Sequence, residues 1–401
     1  MDREMGREES SVCKTNRLAV HMDELDSDHS YSTGENKNIR SLLFFPKNWR
    51  SMKWYNCIKF GIFKYLKVLV LQGCTFENGK LPQGIEKLKL LKLLSLDDSY
   101  LRKLPASVCK LPCLQTLNVK DTVRLPNYIY KMRRLRHLFL DDDHKIVGSE
   151  KLKLEGLNEL ETITGFKSLA DDITHLLKLP KLRVFHGTIC DEQSVSMIVD
   201  HVLNHQDQFR SIQLAIEMDV SMVLEDGSTL LRRLVMCHSL HYLRIRDWRV
   251  SRLPAYEVQL YQNMIEVHLR GTRIEEDPMK ILEKLPMLRV LGLWRDPYVG
   301  REMVCRATGF PQLRDLILFG LPNLVEWRVE KGAMPNLSYL YIKACRKLKM
   351  IPDELKFITT LKELRIMLMP STFTERLRVV DGEEGEDYHK IKHIPRIDIY
   401  N

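Results

Sequence analysis

No stretch of this 401-residue chain approaches the ~18 uninterrupted apolar residues that a membrane-spanning helix requires. The first twenty residues, MDREMGREESSVCKTNRLAV, mix both charges and lack the apolar centre of a secretory signal. Cysteine is sparse: there are nine, an odd number, and only Cys109 and Cys113 lie close together, so neither a disulfide framework nor a zinc-finger spacing is present. Together these absences predict a cytoplasmic protein with no transmembrane segment. The chain also lacks a GxxxxGK[ST] phosphate loop, a nucleophile elbow, an HExxH motif and any His, Ser and Asp set at recognisable spacing. No enzyme activity, cofactor or metal is therefore expected.

Hydrophobic residues make up 44% of the chain, enough for a large core. The net charge of +9 is unevenly spread: residues 1–35 carry −5, residues 381–401 carry −3, and the body between them carries +17. A basic body raises nucleic acid or an anionic surface as a partner, a possibility weighed against the side-chain pattern below.

Apolar residues recur at positions 1, 4 and 6 of a repeating unit. The frame is met by Leu66, Leu69, Leu71; Leu91, Leu94, Leu96; Leu114, Leu117, Val119; and Leu135, Leu138, Leu140. It returns at Leu240, Met264, Leu288, Leu313, Leu337 and Leu361, spaced 24, 24, 25, 24 and 24 residues apart. Weaker copies begin at Ile39, Leu182 and Phe209, and a degenerate copy around Leu157 to Phe166 fills the gap between 135 and 182. A fixed period of this length defines a solenoid, here of roughly fourteen repeats.

Strand geometry explains the frame. Positions 4 and 6 point to one side of a short strand and positions 3, 5 and 7 to the other. No repeat can bury its leucines alone, so each stacks on the next and the strands form a parallel sheet. Several copies carry a second half, as in LRKLPASVCKL (Leu101, Leu104, Pro105, Val108, Leu111), where proline suits the turn onto the far side of the coil. The predicted fold class is α/β: a leucine-rich-repeat horseshoe with its parallel sheet on the concave face and an irregular, short-helical convex side. Residues 38–370 form this domain, between a partly disordered lead-in (1–37) and an acidic C-terminal tail (371–401).

The LxxLxL…LPxxIxxL units resemble the leucine-rich-repeat region of plant coiled-coil nucleotide-binding disease-resistance proteins (NLRs). The lead-in TNRLAVHMDELDSDHSYSTGENKNIRSLLFF and the ending GEDYHKIKHIPRIDIYN are similar to the segments that flank the repeats in that family. The resemblance covers nearly the whole chain. It implies a role in plant innate immunity, with a nucleotide-binding switch module upstream of Met1 that this chain lacks.

Positions 3, 5 and 7 supply the candidate binding residues. In the back half they include Tyr242, Arg244, Arg246, His268, Arg270, Trp294, Phe319, Tyr339, Tyr341, Lys343 and Arg365. Tyr, Trp and Arg carry much of the binding energy at protein interfaces, so this half is expected to grip a protein partner: a pathogen effector, a guarded host protein or another immune receptor. The competing explanation is that aromatics on parallel strands stack with one another and shield the sheet. In the front half Asp97, Asp98, Asp121, Asp141 and Asp142 form an acidic ridge. By the family resemblance, that ridge implies a dock for the switch module. Glu266, Asp315 and Glu363 interrupt the basic and aromatic stripe, which disfavours nucleic acid.

Cys74, Cys190, Cys345, Thr122 and Thr272 share position 9 and are expected to hold the neighbouring turn. His201 and His205 lie four apart on one helical face, with His186 and Cys190 upstream; the repeat frame brings no such set together for a metal. The acidic run DGEEGED (381–387) is expected to be solvated. The function predicted is non-catalytic protein recognition in plant defence, the alternatives being a general cytosolic signalling scaffold or a decoy binding other immune receptors.

Overall fold

The computed structural model of the chain describes residues 17–22, 38–46, 53–54, 60–76, 79–99, 101–120, 124–148, 150–219, 226–257, 260–380 and 382–400. These divide into two compact units, Met1–Gly165 with Ala170–Lys181, and Phe166–Leu169 with Leu182–Asn401. Each is a leucine-rich-repeat coil of the α/β class.

In the first unit the ladder strands are β1 (Arg17–Met22), β2 (Ser41–Pro46), β3 (Val68–Leu71), β4 (Leu93–Ser95), β5 (Thr116–Val119), β6 (His137–Leu140) and the part of β7 (Thr162–Lys167) up to Gly165. Each pairs in parallel with the next. In the second unit they are β8 (Val184–Ile189), β9 (Ser211–Glu217), β10 (Leu240–Arg246), β11 (Glu266–Arg270), β12 (Val290–Trp294), β13 (Asp315–Phe319), β14 (Tyr339–Lys343), β15 (Glu363–Met367) and β16 (Arg396–Tyr400). These too are parallel and consecutive.

The frame positions behave as strand geometry requires. In the ten strong copies every residue at positions 1, 4 and 6 is 3% exposed or less. A fully buried Leu contributes about 1.5–3 kcal/mol, so the spine is the main apolar reservoir of both units. Behind the strands, the LPxxIxxL halves form single-turn 3₁₀ helices at Ile85–Lys87, Val108–Lys110 and Ile129–Lys131 that bury their first residue, Ile85, Val108 and Ile129. The second unit also has α1 (Glu192–Asn204), capped by the Asp191 carboxylate accepting from the Ser194 amide at 2.7 Å, and α2 (Ser228–Leu234). Among the described residues no helix is long and apolar enough to cross a membrane.

Position 8 shows a regularity that the leucine frame does not reveal. Gly73, Asp98, Asp247, Gly271, Arg295, Gly320, Ala344 and Leu368 all have φ between 47° and 67°. The chain leaves these eight strands through a left-handed residue, and only three of the eight are glycine. Sequence gives little sign of it because the packing on either side holds Ala and Leu where glycine would be unstrained.

The degenerate copy near Leu157 is a rung that starts at Leu160, since Thr162 pairs with His137. Its position 6 is Gly165, φ +73°, where a Cβ would stand 2.2 Å from the Leu140 carbonyl oxygen. The leucine pattern fades here because no side chain fits.

Both ends differ from expectation. Within the lead-in, Arg17–Met22 is ladder strand β1; residues 1–16 and 23–37, on which the disorder reading falls, lie outside the described residues. The segment read as an acidic tail is folded back on the repeats: β16 pairs with β15, and Ile391 and Ile394 are buried. Ile394, Ile397 and Ile399 meet the 1, 4, 6 frame, a signal masked by the charge run before them. Asp387, from that run, is itself buried between Arg376 (2.7 Å) and Lys390 (2.7 Å). Glu383 and Glu384 stay exposed in a two-residue hairpin with Val379 and Val380.

Candidate functional site

Parallel register fixes which side chains meet on the open face of the second unit. Position 5 runs Arg244, His268, Gly292, Ile317, and position 7 runs Arg246, Arg270, Trp294, Phe319 across β10 to β13. Gly292 is the one residue in these rows without a side chain, and the gap it leaves shapes the surface. A cleft of about 380 Å³ opens here, lined by Tyr242, Arg244, Arg246, His268, Arg270, Trp294 and Phe319, together with Glu217 and Arg295.

The indole of Trp294 lies across Gly292 and its Nε1–H donates to His268 Nδ1 at 3.1 Å. Indole nitrogen is a donor only, so Nδ1 accepts and the imidazole proton sits on Nε2. From there it donates to Glu266 Oε1 at 2.6 Å. This chain of bonds pins the ring that forms the cleft wall. The rings themselves run in series: Tyr242 to His268 is 5.9 Å between centroids, His268 to Trp294 6.1 Å, and Trp294 to Phe319 6.0 Å. The aromatics stack with one another along the sheet, and an opening remains beside them.

A Cβ at Gly292 would stand 2.2 Å from Trp294 Nε1 and 2.3 Å from His268 Nδ1. Gly292→Ala is therefore expected to swing the indole aside and break the Trp294–His268 bond at a stability change of about 1 kcal/mol or less, because glycine in a strand is itself unfavourable. Altered near-ultraviolet dichroism with an unchanged far-ultraviolet spectrum is the expected reading; an unchanged near-ultraviolet spectrum rejects the wedge.

Charge in the cleft is unbalanced. Four arginines line it against the single carboxylate of Glu217, which Arg244 meets at 3.1 Å and Arg246 at 3.7 Å. Arg246 also reaches Asp247 at 3.3 Å. Arg295 and Lys343 lie over the Phe319 ring at 5.5 and 4.9 Å. At the rim, burial pushes the Asp315 carboxyl above the usual carboxylate range, against the pull of Arg314.

The other four expected residues continue the face without lining the cleft. Arg365 is held by Glu363 at 2.6 Å and Asp398 at 3.6 Å, with its guanidinium 6.0 Å from the Tyr339 ring centroid. Tyr341 donates to Met367 Sδ at 3.3 Å. Glu217 and Arg295 escaped the sequence reading for different reasons. Glu217 enters because β9 slips register between Ile212 and Gln213, and Arg295 occupies the unsuspected turn at position 8.

Of the acidic ridge, Asp97 and Asp141 occupy position 7 of their repeats, and Asp98 and Asp142 position 8; Asp121 lies outside the described residues. Asp98 supplies a left-handed turn, and Asp141 Oδ1 accepts from the Asp143 amide at 2.7 Å. Local turn chemistry accounts for part of this clustering.

The position 9 residues hold turns. Thr272 donates to the Pro297 carbonyl at 2.9 Å, and the Cys345 thiol contacts the carbonyls of Leu318 and Lys343. Burial pushes the Cys74 thiol up to about 12 and Cys345 up to about 11, so neither is a ready nucleophile. Cys190 is half-buried with its amide bonded to Ser168 Oγ; Thr122 lies outside the described residues. His201 and His205 stack at 4.5 Å, and His205 Nδ1 bonds the His201 carbonyl. Among the described residues no group of three or more His, Cys, Asp or Glu side chains converges where a metal could sit.

The profile of a family described as a leucine-rich repeat region matches residues 38–381. A probable disease resistance RPP8-like protein 2 of Arabidopsis thaliana is 34% identical over 401 residues, covering 98% of this chain and 42% of that protein. Disease resistance protein RPP8 of the same plant is 33% identical over 399 residues, covering 98% and 42%. The chain thus spans about two-fifths of the length of these relatives. Among solved structures, a leucine-rich-repeat protein of Leptospira interrogans (LIC12759) aligns at a TM-score of 0.40 and 17% identity, over 91% of each chain. The ectodomain of the Arabidopsis thaliana receptor kinase GASSHO1/SCHENGEN3 aligns at 0.45 and 16%, over 96% of this chain and 49% of that one.

Proposed function

This chain belongs to the leucine-rich-repeat region family, with plant disease resistance proteins as its relatives, and from that premise we propose that it recognises a protein during plant defence through the open face of β10 to β13. The partner is a pathogen effector, a guarded host protein or another immune receptor, and the role is recognition, not catalysis. The observation that carries this reading is the convergence of seven Arg and aromatic side chains from four adjacent strands on one cleft. Such residues, gathered around a pocket, are the common makeup of interface hot spots. The seven described cysteines are free thiols, which supports a cytoplasmic setting. In the same proposal, Asp97, Asp98, Asp141 and Asp142 offer a dock for a switch module of the kind the family carries.

Proximity labelling in plant tissue, with and without pathogen, tests the reading. Trp294→Ala, which removes the cleft wall but no core leucine, is expected to erase at least one partner that the unmodified chain labels, with a loss of about 2 kcal/mol or more in purified binding. Identical labelled sets from the two proteins, both folded by circular dichroism, reject it.

A further inference from the structure

The cleft names the chemistry of what it binds, and this inference rests on the recognition reading above. Arg270 lines it, and although its backbone carbonyl accepts from the Asp247 amide at 2.8 Å, its guanidinium makes no hydrogen bond or ion pair among the described residues. Its neighbour Arg244 is held at one end by Glu217, yet its Nε is buried and meets no acceptor. A buried donor left without an acceptor costs about 1–3 kcal/mol, so the pair marks a place where an anion belongs. Beside the arginines the wall is apolar and rigid, the Trp294 indole being fixed over Gly292 by its bond to His268. At about 380 Å³ the space suits one or two side chains of an extended segment.

We propose that the cleft receives an acidic segment of the partner protein, with a Glu or Asp carboxylate bridging Arg270 and Arg244 and an adjacent aromatic or long aliphatic side chain against Trp294. Planar guanidinium groups bind carboxylates in paired fashion. A nucleic-acid backbone fits less well, because Glu217 lies in the cleft itself and Glu266 beside it, and a run of phosphates would meet both.

The test pans a random peptide-display library against the whole chain and, in parallel, against Arg270→Glu. Peptides selected on the unmodified chain are expected to carry Asp or Glu within two residues of an aromatic, Leu or Met. A synthetic representative should lose at least tenfold in affinity for Arg270→Glu, and severalfold for the milder Arg270→Gln. Peptides selected on Arg270→Glu should shift toward Lys and Arg. Absence of acidic enrichment, or equal binding of the acidic peptide to both charge variants, overturns the proposal, as does a 20-nucleotide single strand that displaces the peptide from the cleft at equal concentration. Should Trp294→Ala still remove a partner in tissue while any of these holds, the recognition reading stands and this inference alone falls.

Discussion

Asp171→Ala lowers the local stability of the first unit by about 3–5 kcal/mol, the range for breaking one side of a buried ion pair. Asp171 and His144 are both 0% exposed at the side chain, with Nε2 to Oδ1 at 2.8 Å, while His144 Nδ1 reaches the Asp141 carbonyl at 2.7 Å. Without the carboxylate, the imidazole keeps its burial and loses its counter-charge. Hydrogen exchange at the amides of β6 and β7 measures the loss, and a drop below about 1 kcal/mol would show that the pair is no more than a surface contact. Arg136 and Glu161 give the comparison: their 2.7 Å pair is 46% and 26% exposed, and Arg136→Ala is expected to cost under about 1 kcal/mol.

The same pair carries a pH dependence. Burial acts to depress the His144 pKa, but the hydrogen bond and charge of Asp171, with the Asp141 carbonyl, outweigh it, so the folded value is raised above the ordinary one. A folded value above the unfolded one means that the native state holds the extra proton. Its stabilisation is full below about pH 6.5, the unfolded value, and is lost as pH rises through the folded value. Asp171→Asn, which keeps shape and removes charge, should flatten this profile above about pH 6.5. A profile unchanged by that substitution assigns the dependence elsewhere.

Lys390→Met is the second large effect, again about 3–5 kcal/mol, felt by the C-terminal closure of the second unit. The Lys390 side chain is 4% exposed, and its ammonium meets Asp387 at 2.7 Å, Asp353 at 2.5 Å and the Ile351 carbonyl at 3.2 Å. Arg376 completes the cluster on Asp387 and Glu386. The methionine fills similar space, which separates loss of charge from loss of volume. Earlier proteolysis within 371–400, and faster exchange along β16, are expected; β16 protection equal to the unmodified chain would mean that Ile391 and Ile394 hold the closure unaided.

The signs for this cluster are opposite at the two ends of the pH range. Burial would raise the Asp387 carboxyl, but the Arg376 and Lys390 hydrogen bonds and charges hold it below its ordinary value. Its contribution is present above about pH 4 and fades as pH falls through the folded value. Burial would lower Lys390, but Asp353 and Asp387 raise it. Its contribution is present below about pH 10.4 and fades as pH climbs through the folded value.

Much of this molecule is legible in its sequence. Leucines at positions 1, 4 and 6 determine the parallel strands and the buried spine, because side chains alternate across a strand and one face must leave water. The same alternation put Tyr242, Arg244, Arg246, His268, Arg270, Trp294 and Phe319 on the open face. Tertiary structure alone decided the rest. The cleft depends on Gly292 standing in register between His268 and Ile317, and on a slip in β9 that delivers Glu217. One member of the acidic run, Asp387, is buried because Ile391 and Ile394 anchor the segment to the core, where Asp387 meets Lys390. Periodicity records which side of its own strand a residue faces. Which residue stands beside it on the next strand is set by loop length and register, and these exist only once the coil has closed.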